Sequence, residues 1–291
     1  MEAIPFILIG VLVSGFIQMF LTERWIARVM PRNRVLATML GCGVGILFPS
    51  CECGIVPVTR RLLGKGVPLH AGIAFMLTGP IVNPIVLIST FIAFGNDWRM
   101  VLIRGGMAMC VAFCVALLLS LMFPVLPLRV KEPLASGSVV GTEAHAAVGI
   151  VRKRSVWGQI QGVIAHAIDE FFSVGKYLVF GAFLAACMQT FVPTSTLLHL
   201  GGNAVTSSLV MMGLAYTMSL CSEADAFIAA SFRSTFSTGA LSAFLVFGPM
   251  LDIKNTMMLL GAFRVKFVLV LIGLVSLFTL AGSLLVGRLF G

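Results

Sequence analysis

Long apolar runs separated by short polar stretches dominate the chain. Four runs approach or exceed the roughly 20 residues that a helix needs to cross a bilayer; they cover residues 3–22, 105–128, 177–198 and 267–287. Four further runs contain glycine, proline or polar interruptions and cover residues 35–51, 69–96, 200–222 and 234–251. This pattern predicts an all-α polytopic membrane protein with about 8 to 10 membrane segments, some of them broken or re-entrant.

Composition agrees with this class, because 59% of the 291 residues are hydrophobic and only 11% are charged. A soluble protein would carry about a quarter charged residues. The net charge of +9 comes from basic residues that lie mainly between the apolar runs. In a soluble protein this excess would suggest nucleic-acid binding, but here it indicates orientation in a membrane. We therefore expect the lipid bilayer as surroundings and no nucleic-acid partner.

A polar segment divides the chain into two apolar halves. Residues 129–168 contain a Ser/Gly stretch and the basic run Arg152-Lys153-Arg154, which are typical of a solvent-exposed linker. The sequence therefore predicts a first membrane repeat at 1–128, a linker at 129–168 and a second membrane repeat at 169–291. Because the linker is basic, we expect it on the cytoplasmic side.

The two halves are related in sequence. A shift of 169 residues places residues 71–83 over 240–252, with Gly79-Pro80 matching Gly248-Pro249, and a shift of 170 places Cys51 over Cys221. The loop after the first apolar run carries four arginines, whereas the corresponding loop of the second half carries no lysine or arginine. This opposite charge bias predicts that the two pseudo-symmetric repeats are inverted, which is a common transporter plan.

Helix-breaking residues occur at corresponding places in the two halves. One pair of breaks lies at residues 49–54 and 221–225, and the other at residues 79–84 and 248–252. Backbone groups freed at membrane depth must be satisfied inside the protein or by water, so paired breaks indicate a transport site. The predicted helix-breaking residues are Pro49, Gly54, Pro57, Gly79, Pro80, Pro84, Gly248 and Pro249.

Polar and ionisable side chains at these breaks are the candidate substrate ligands. A charged side chain at the bilayer centre costs a few kcal/mol, so such residues are usually paired, neutral or facing water. Burial favours the neutral form of a carboxylic acid, which suits it to carry a proton in coupled transport. The candidates are Cys51, Glu52, Cys53, Asn83, Cys221, Glu223, Asp225 and Asp252. For Asp252, near Lys254, an acid in a loop at the membrane surface is an equally open interpretation.

The cysteines at the breaks have two open interpretations. Cys51, Cys53 and Cys221 can act as soft metal ligands for Cu(I), Zn(II) or trivalent arsenic. Two thiols separated by one residue do not easily bind one ion from a regular helix, but a turn broken by proline and glycine could bring them together, with Cys221 opposite. Alternatively, these cysteines are small residues that allow close backbone approach.

Three segments resemble a known family: Pro49-Ser-Cys-Glu-Cys-Gly54 followed by Pro57, Gly79-Pro80 to Asn83-Pro84, and Leu220-Cys-Ser-Glu-Ala-Asp-Ala-Phe227. The family is that of bacterial predicted permeases, which includes organoarsenical efflux permeases of the ArsP type. The resemblance covers essentially the whole chain and implies a multi-pass permease of the bacterial plasma (inner) membrane. For the best-known member, the resemblance implies that the substrates are trivalent organoarsenicals, which are moved outward. Other members resemble zinc- or copper-linked permeases, some encoded beside a second small membrane protein. Many members carry serine where this chain has Glu52.

The leading functional interpretation is therefore a secondary transporter. It would export a thiophilic metal or metalloid by alternating access, with its site at the paired broken helices. A divalent metal permease of the zinc or copper type, working with a partner membrane protein, is the alternative that Glu52 favours. A thiol-based membrane redox protein or a non-transporting membrane subunit is the alternative of another class. We expect no enzymatic activity and no resident cofactor, and no ATP-binding P-loop occurs in the sequence.

Overall fold

A computed structural model describes residues 31, 33–47, 52–123, 128, 179–180, 183, 187 and 203–290. The predicted first helix at 3–22, the linker at 129–168 and most of the run at 177–198 lie outside the described residues. Pro49 and Cys51 also lie outside them, as does the side chain of Cys53. The predictions that involve these residues therefore stay predictions.

The described residues are helical, with short turns between the helices and one isolated bridge between Leu128 and Phe263. The first half contains α1 (Arg34–Leu47), α2 (Glu52–Gly64), α3 (Leu69–Thr78), α4 (Pro84–Ala93) and α5 (Trp98–Met122). The second half contains α6 (Ala204–Met218), α7 (Ser222–Ser231), α8 (Thr238–Met250), α9 (Ile253–Ala262) and α10 (Val265–Phe290). The all-α class predicted from the apolar runs is confirmed over these residues.

Three helical segments of the described chain are long and apolar enough to cross a membrane: Trp98–Met122, Thr238–Ala262 and Val265–Phe290. Large apolar side chains on α5 and α10 point away from the protein; Leu102 is 70% exposed and Leu277 is 61% exposed. Such side chains are stable on an outer surface when lipid surrounds them. The middle segment, in contrast, is mostly buried inside the protein. The chain is thus a membrane protein with α8 and α9 near its centre.

Side-chain caps explain where several of these helices begin. The Asn83 side chain accepts a hydrogen bond from the Val86 backbone N–H at 2.9 Å, and Pro84 occupies the first turn of α4. Asp97 accepts from the Arg99 N–H at 2.8 Å at the start of α5. These interactions satisfy backbone donors that a helix leaves unpaired at its N-terminus. Polar residues within apolar runs therefore set helix boundaries here.

The two halves repeat the same packing. α1 packs on α3 and α5 in the first half, and the corresponding α6 packs on α8 and α10 in the second. Likewise α3 packs on α5, and α8 packs on α10. The same order of five helices with the same neighbours agrees with the repeat found in the sequence. Their opposite orientation in the membrane stays a prediction.

Contacts between the halves are reciprocal. α2 of the first half packs against α9 of the second, and α7 of the second half packs against α4 of the first. In each case, the helix that follows the cysteine-containing break of one half lies against the helix that follows the Gly-Pro segment of the other. The helices that follow the four predicted breaks therefore all take part in the contact between the halves.

Four of the predicted helix-breaking residues lie inside helices, which corrects the expected positions of the breaks. α2 runs through Gly54 and Pro57, and α8 runs through Gly248 and Pro249. Pro249 stands one residue before the end of α8 and has no N–H to donate to the Leu245 carbonyl oxygen of the preceding turn. In the first half, Gly79 and Pro80 do lie between helices, as predicted, and Pro84 begins α4.

Glycines allow helices to approach each other closely within each half. A Cβ atom on Gly41 of α1 would collide with the Ala71 carbonyl oxygen of α3. A Cβ atom on Gly239 of α8 would lie 2.5 Å from the Ser283 carbonyl oxygen of α10. Small residues at such crossings are a general feature of helix packing in membranes.

The crossing of α1 and α3 predicts opposite effects for two neighbouring glycines. Gly41→Ala should lower the free energy of unfolding by about 1 to 3 kcal/mol, because the added methyl group overpacks the crossing. Gly43→Ala is the matched control, since its Cβ atom would meet nothing within 4 Å; its better helix propensity should leave stability unchanged or slightly higher. Thermal unfolding in detergent micelles measures both, and equal effects of the two variants would contradict the packing.

Candidate functional site

The two cysteine-containing breaks meet through a buried hydrogen bond. The Ser222 hydroxyl donates to Glu52 Oε1 at 3.0 Å, and both residues are at most 3% exposed. Glu52 is the first residue of α2 and Ser222 is the first residue of α7. The two residues are 170 positions apart, which is the shift that superimposes Cys51 on Cys221. Equivalent positions of the two halves therefore contact each other directly.

A buried arginine lies beside this contact. Arg104 of α5 is completely buried; its Nη1 donates to Thr90 Oγ1 at 2.7 Å and its Nη2 donates to the Ser222 carbonyl oxygen at 2.9 Å. Its guanidinium also interacts electrostatically with the carboxylates of Asp225, Glu223 and Glu52, in decreasing order of strength. Arg104 thus links α4 and α5 of the first half to the start of α7.

Sequence reasoning missed Arg104 because it stands at the edge of the uncharged run 105–128. A signal was present, since Arg104 is the sole charged residue between Met100 and Met122. An arginine inside an otherwise apolar span has to face the protein interior and find a partner there. A charged residue within an apolar span is therefore a candidate functional residue in the same way as a charged residue at a helix break.

Asp225 lies in a tight buried position on α7. The residue is 2% exposed, and its Oδ2 has no hydrogen-bond partner among the described residues. A Cβ atom on Gly248 would lie 3.1 Å from this oxygen, so the glycine leaves room for the carboxylate. Gly248, predicted to break a helix, instead makes space for an acid of the neighbouring helix.

Cys221 and Glu223 form a pair at the start of α7. The Cys221 thiol donates a hydrogen bond to Glu223 Oε2 at 2.7 Å. Both side chains are partly exposed, unlike Asp225 and Glu52. The pair combines a soft sulfur ligand with a base that can accept its proton, which is what binding of a thiophilic metal requires, because the thiolate is the ligand.

The break before α7 is produced by an unusual backbone conformation at Ser219. This residue ends α6 with φ 49° and ψ 46°, which is the left-handed region. For a residue with a Cβ atom, this conformation costs about 1 kcal/mol or more. Ser219 is also buried, so the surrounding protein holds the strained turn. Strained backbone at a buried helix break is often associated with function.

Asn83 and Asp252 occupy equivalent positions as helix caps. The Asn83 side chain accepts from the Val86 N–H, and the Asp252 side chain accepts from the Asn255 N–H at the start of α9. Asp252 is 1% exposed, and its Oδ2 lies 3.9 Å from Lys254 Nζ. The structure therefore puts Asp252 inside the protein, paired with a lysine and capping a helix, and not in a solvated loop.

The structure describes only part of the predicted three-thiol metal site. Cys221 is described, but Cys51 and the side chain of Cys53 are not. Within the described part of the chain, no group of three or more histidine, cysteine, aspartate or glutamate side chains has an arrangement suited to a metal ion. Joint metal binding by the three cysteines stays a prediction.

Comparison with known proteins assigns a family to this arrangement. Residues 1–288 match the ArsP_1 family, described as predicted permease. The chain belongs to the predicted permease family. This confirms the resemblance found from the sequence motifs, and membership in the family indicates a transporter.

Relatives of the chain are themselves described in general terms. UPF0718 protein YcgR of Bacillus subtilis is 59% identical over 286 residues, which is 98% of this chain and 93% of the relative. A protein of Streptococcus mutans named putative two-component membrane permease complex subunit is 44% identical over 98% of this chain and 91% of its own length. UPF0718 protein YraQ of Escherichia coli is 27% identical over 33% of this chain and 27% of its own length. No solved structure matches the chain.

The buried position of Arg104 predicts a large cost for removing it. Arg104→Ala should lower the free energy of unfolding by about 3 to 5 kcal/mol, because it leaves buried carboxylates without their counter-charge. Arg104→Lys should cost less but still destabilise, since an ammonium group does not reproduce the two-pronged donation to Thr90 and Ser222. Arg99→Ala, an exposed residue of the same helix, is the control. Unfolding midpoints in detergent measure all three; an Arg104→Ala variant as stable as the control would contradict this role.

Proposed function

We propose that the chain is a secondary permease of the bacterial plasma membrane that exports a thiophilic metal or metalloid by alternating access. The observation that carries the proposal is the buried hydrogen bond between Ser222 and Glu52, which joins equivalent positions of the two halves. In an inverted-repeat transporter, equivalent residues meet where the pseudo-twofold axis passes. Substrate sites of such transporters lie near that axis, at the repeat interface.

The charges around this contact suit a positively charged cargo. One guanidinium, that of Arg104, interacts with the carboxylates of Glu52, Glu223 and Asp225. When these acids are ionised, the cluster keeps a net negative charge, which attracts a cation. Removing that charge from water is unfavourable without a bound cation or proton. Binding of a cation would therefore offset the unfavourable free energy of burying this negative charge in the empty site.

The thiols supply selectivity for soft metals. A thiophilic ion that approaches Cys221 binds the thiolate, and the proton that leaves the sulfur passes to the Glu223 carboxylate that already accepts its hydrogen bond. Cys51 and Cys53 of the first half would complete the ligand set. Asn83 and Asp252 would hold the ends of the broken helices beside the site, and the acids would couple the movement to a second cation.

Alternating access would change the reciprocal contacts between the halves. The pairs α2–α9 and α4–α7 join the halves, and α2 and α7 begin at the two residues of the buried contact, Glu52 and Ser222. Rocking of one half against the other would open one pair at a time, and the Ser222–Glu52 bond would break and form again in each cycle. This gives the inverted repeat a mechanical role.

Transport in proteoliposomes tests the proposal. The purified chain should move at least one of Zn(II), Cu(I) or a trivalent organoarsenical down an imposed gradient. Glu52→Gln, Asp225→Asn and Cys221→Ser should each lower the rate by tenfold or more, and cells carrying Cys51→Ser should lose resistance to the same substrate. Asp97→Asn, which keeps a capping side chain at the start of α5, should transport normally.

Two outcomes would contradict the proposed function. The first is a chain that moves none of these substrates under any gradient, although it is folded. The second is a set of site variants that all transport at the rate of the unaltered chain. Either result would favour a membrane redox protein or a non-transporting subunit.

We propose a divalent metal permease with a partner membrane protein as the second candidate. The relative from Streptococcus mutans is named as a subunit of a two-component membrane permease complex, and Glu52 adds a hard oxygen ligand beside the thiols. Under this proposal, the chain reconstituted with a membrane protein that co-purifies with it should transport Zn(II) at least tenfold faster than the chain alone. Equal rates would exclude a required partner.

A further inference from the structure

Four buried side-chain oxygens at the breaks of the second half have no hydrogen-bond partner among the described residues. They are Ser219 Oγ, Asp225 Oδ2, Asp252 Oδ2 and Asn255 Oδ1. Each of these residues is more than nine-tenths buried. A buried polar atom without a partner destabilises the folded state, so four of them at neighbouring breaks indicate that a ligand belongs there.

The four side chains are neighbours in the structure. A Cβ atom on Gly248, four residues before Asp252, would lie 3.1 Å from Asp225 Oδ2, and the Ser219 hydroxyl lies beside the Asp252 carboxylate. Asn255 is tied into the same turn, because its backbone N–H donates to Asp252. Its Nδ2 donates to the Met250 carbonyl oxygen at 2.9 Å, which leaves Oδ1 unpaired. The strained turn at Ser219 and the cap of α9 thus form one oxygen-rich cluster.

The fold does not require two of these oxygens. At the positions equivalent to Asp225 and Asn255, the first half carries Ile55 and Val86. Ile55 is 1% exposed and Val86 is completely buried, so apolar side chains fill the same places in the repeated packing. Asp225 and Asn255 therefore add oxygens to a scaffold that forms without them, beside the helix cap Asp252.

The donor atoms point to a hard cation of single charge. All four are oxygens, which favour hard cations over the soft metals that bind thiols. Two positive groups already face the cluster: Lys254 Nζ lies 3.9 Å from Asp252 Oδ2, and Arg104 interacts with Asp225. These two positive groups balance the carboxylates of Asp225 and Asp252. The partly exposed Glu223 also interacts with Asp225, so one negative charge is left for one additional cation when all three acids are ionised.

We propose that Ser219, Asp225, Asp252 and Asn255 bind a monovalent cation of the Na⁺ class, and that this cation is the coupling ion of the permease. The cation bound at the second-half breaks would be separate from the cargo at Cys221 and Glu52. Because Asp225 also interacts with Arg104, occupancy would change the balance of charge at the guanidinium that holds the Ser222 carbonyl oxygen. The coupling role rests on the proposed transport function, whereas the binding site does not.

Cation binding is measured on the purified full-length chain in detergent micelles without any metal substrate. Sodium chloride is titrated against choline chloride at constant ionic strength, and the unfolding midpoint is recorded. Binding to the folded state should raise the midpoint by a few degrees once Na⁺ reaches about ten times its dissociation constant. Asp225→Asn and Asp252→Asn should each weaken the response at least tenfold in Na⁺ concentration.

Two variants keep this test interpretable. Asp252→Asn introduces the residue that caps α4 in the first half, so α9 should still form. Asp97→Asn changes an acid that caps α5 and is not part of the cluster, so this variant should respond to Na⁺ as the unaltered chain does. Equal midpoints in sodium and choline chloride would overturn the proposal, as would an Asp252→Asn variant with an unchanged Na⁺ response, or stabilisation by Ca²⁺ or Mg²⁺ alone.

Transport assays separate this inference from the proposed function. If the chain moves its metal or metalloid cargo but shows no Na⁺ response, the cation site is wrong and the permease stands. If Na⁺ stabilises the chain but no cargo moves, the cation site stands and the proposed function fails. If Na⁺ stabilises the chain and the chain also moves its cargo, an inward Na⁺ gradient should accelerate export at least tenfold. An unchanged rate would reject the coupling role.

Discussion

A guanidinium that is completely buried in a membrane protein has to be compensated within the protein, and that requirement organises the centre of this structure. Arg104 meets it by donating to Thr90 and to the Ser222 carbonyl oxygen, and by facing a set of carboxylates. Because those partners come from both halves, the charge cannot be stabilised by either half alone. Arg104 therefore also links the two halves at the centre of the protein.

Repetition and departure from repetition have different roles in this molecule. The repeated packing of five helices builds a scaffold whose equivalent breaks meet at Glu52 and Ser222. The departures make the two halves chemically different: Asp225 stands where the first half has Ile55, and Glu52 stands where the second half has Ser222. A symmetric scaffold can exchange between two similar arrangements at little energetic cost, while asymmetric side chains decide what is bound in each.

Much of the architecture could be predicted from the sequence, because apolar runs and paired Gly-Pro segments are local signals. The helices were expected from them, and Asn83 and Asp252 were singled out, although their capping role was not. The positions of the helix breaks were harder to predict, since a helix tolerates Pro57 and Pro249 when the surrounding packing is favourable. The contact between Glu52 and Ser222 joins residues 170 positions apart, and no local pattern encodes such a pairing. Arg104 was overlooked because its neighbours made it look like the end of a loop.

The most direct measurement exchanges the two residues that meet at the centre. If Glu52 and Ser222 occupy equivalent places across a pseudo-twofold axis, the double variant Glu52→Ser with Ser222→Glu rebuilds the same hydrogen bond in the opposite direction. Each single variant should lower the unfolding midpoint and the transport rate, and the double variant should recover most of both losses. A double variant whose losses equal the sum of the two single losses would show that the residues act independently, and would contradict the account.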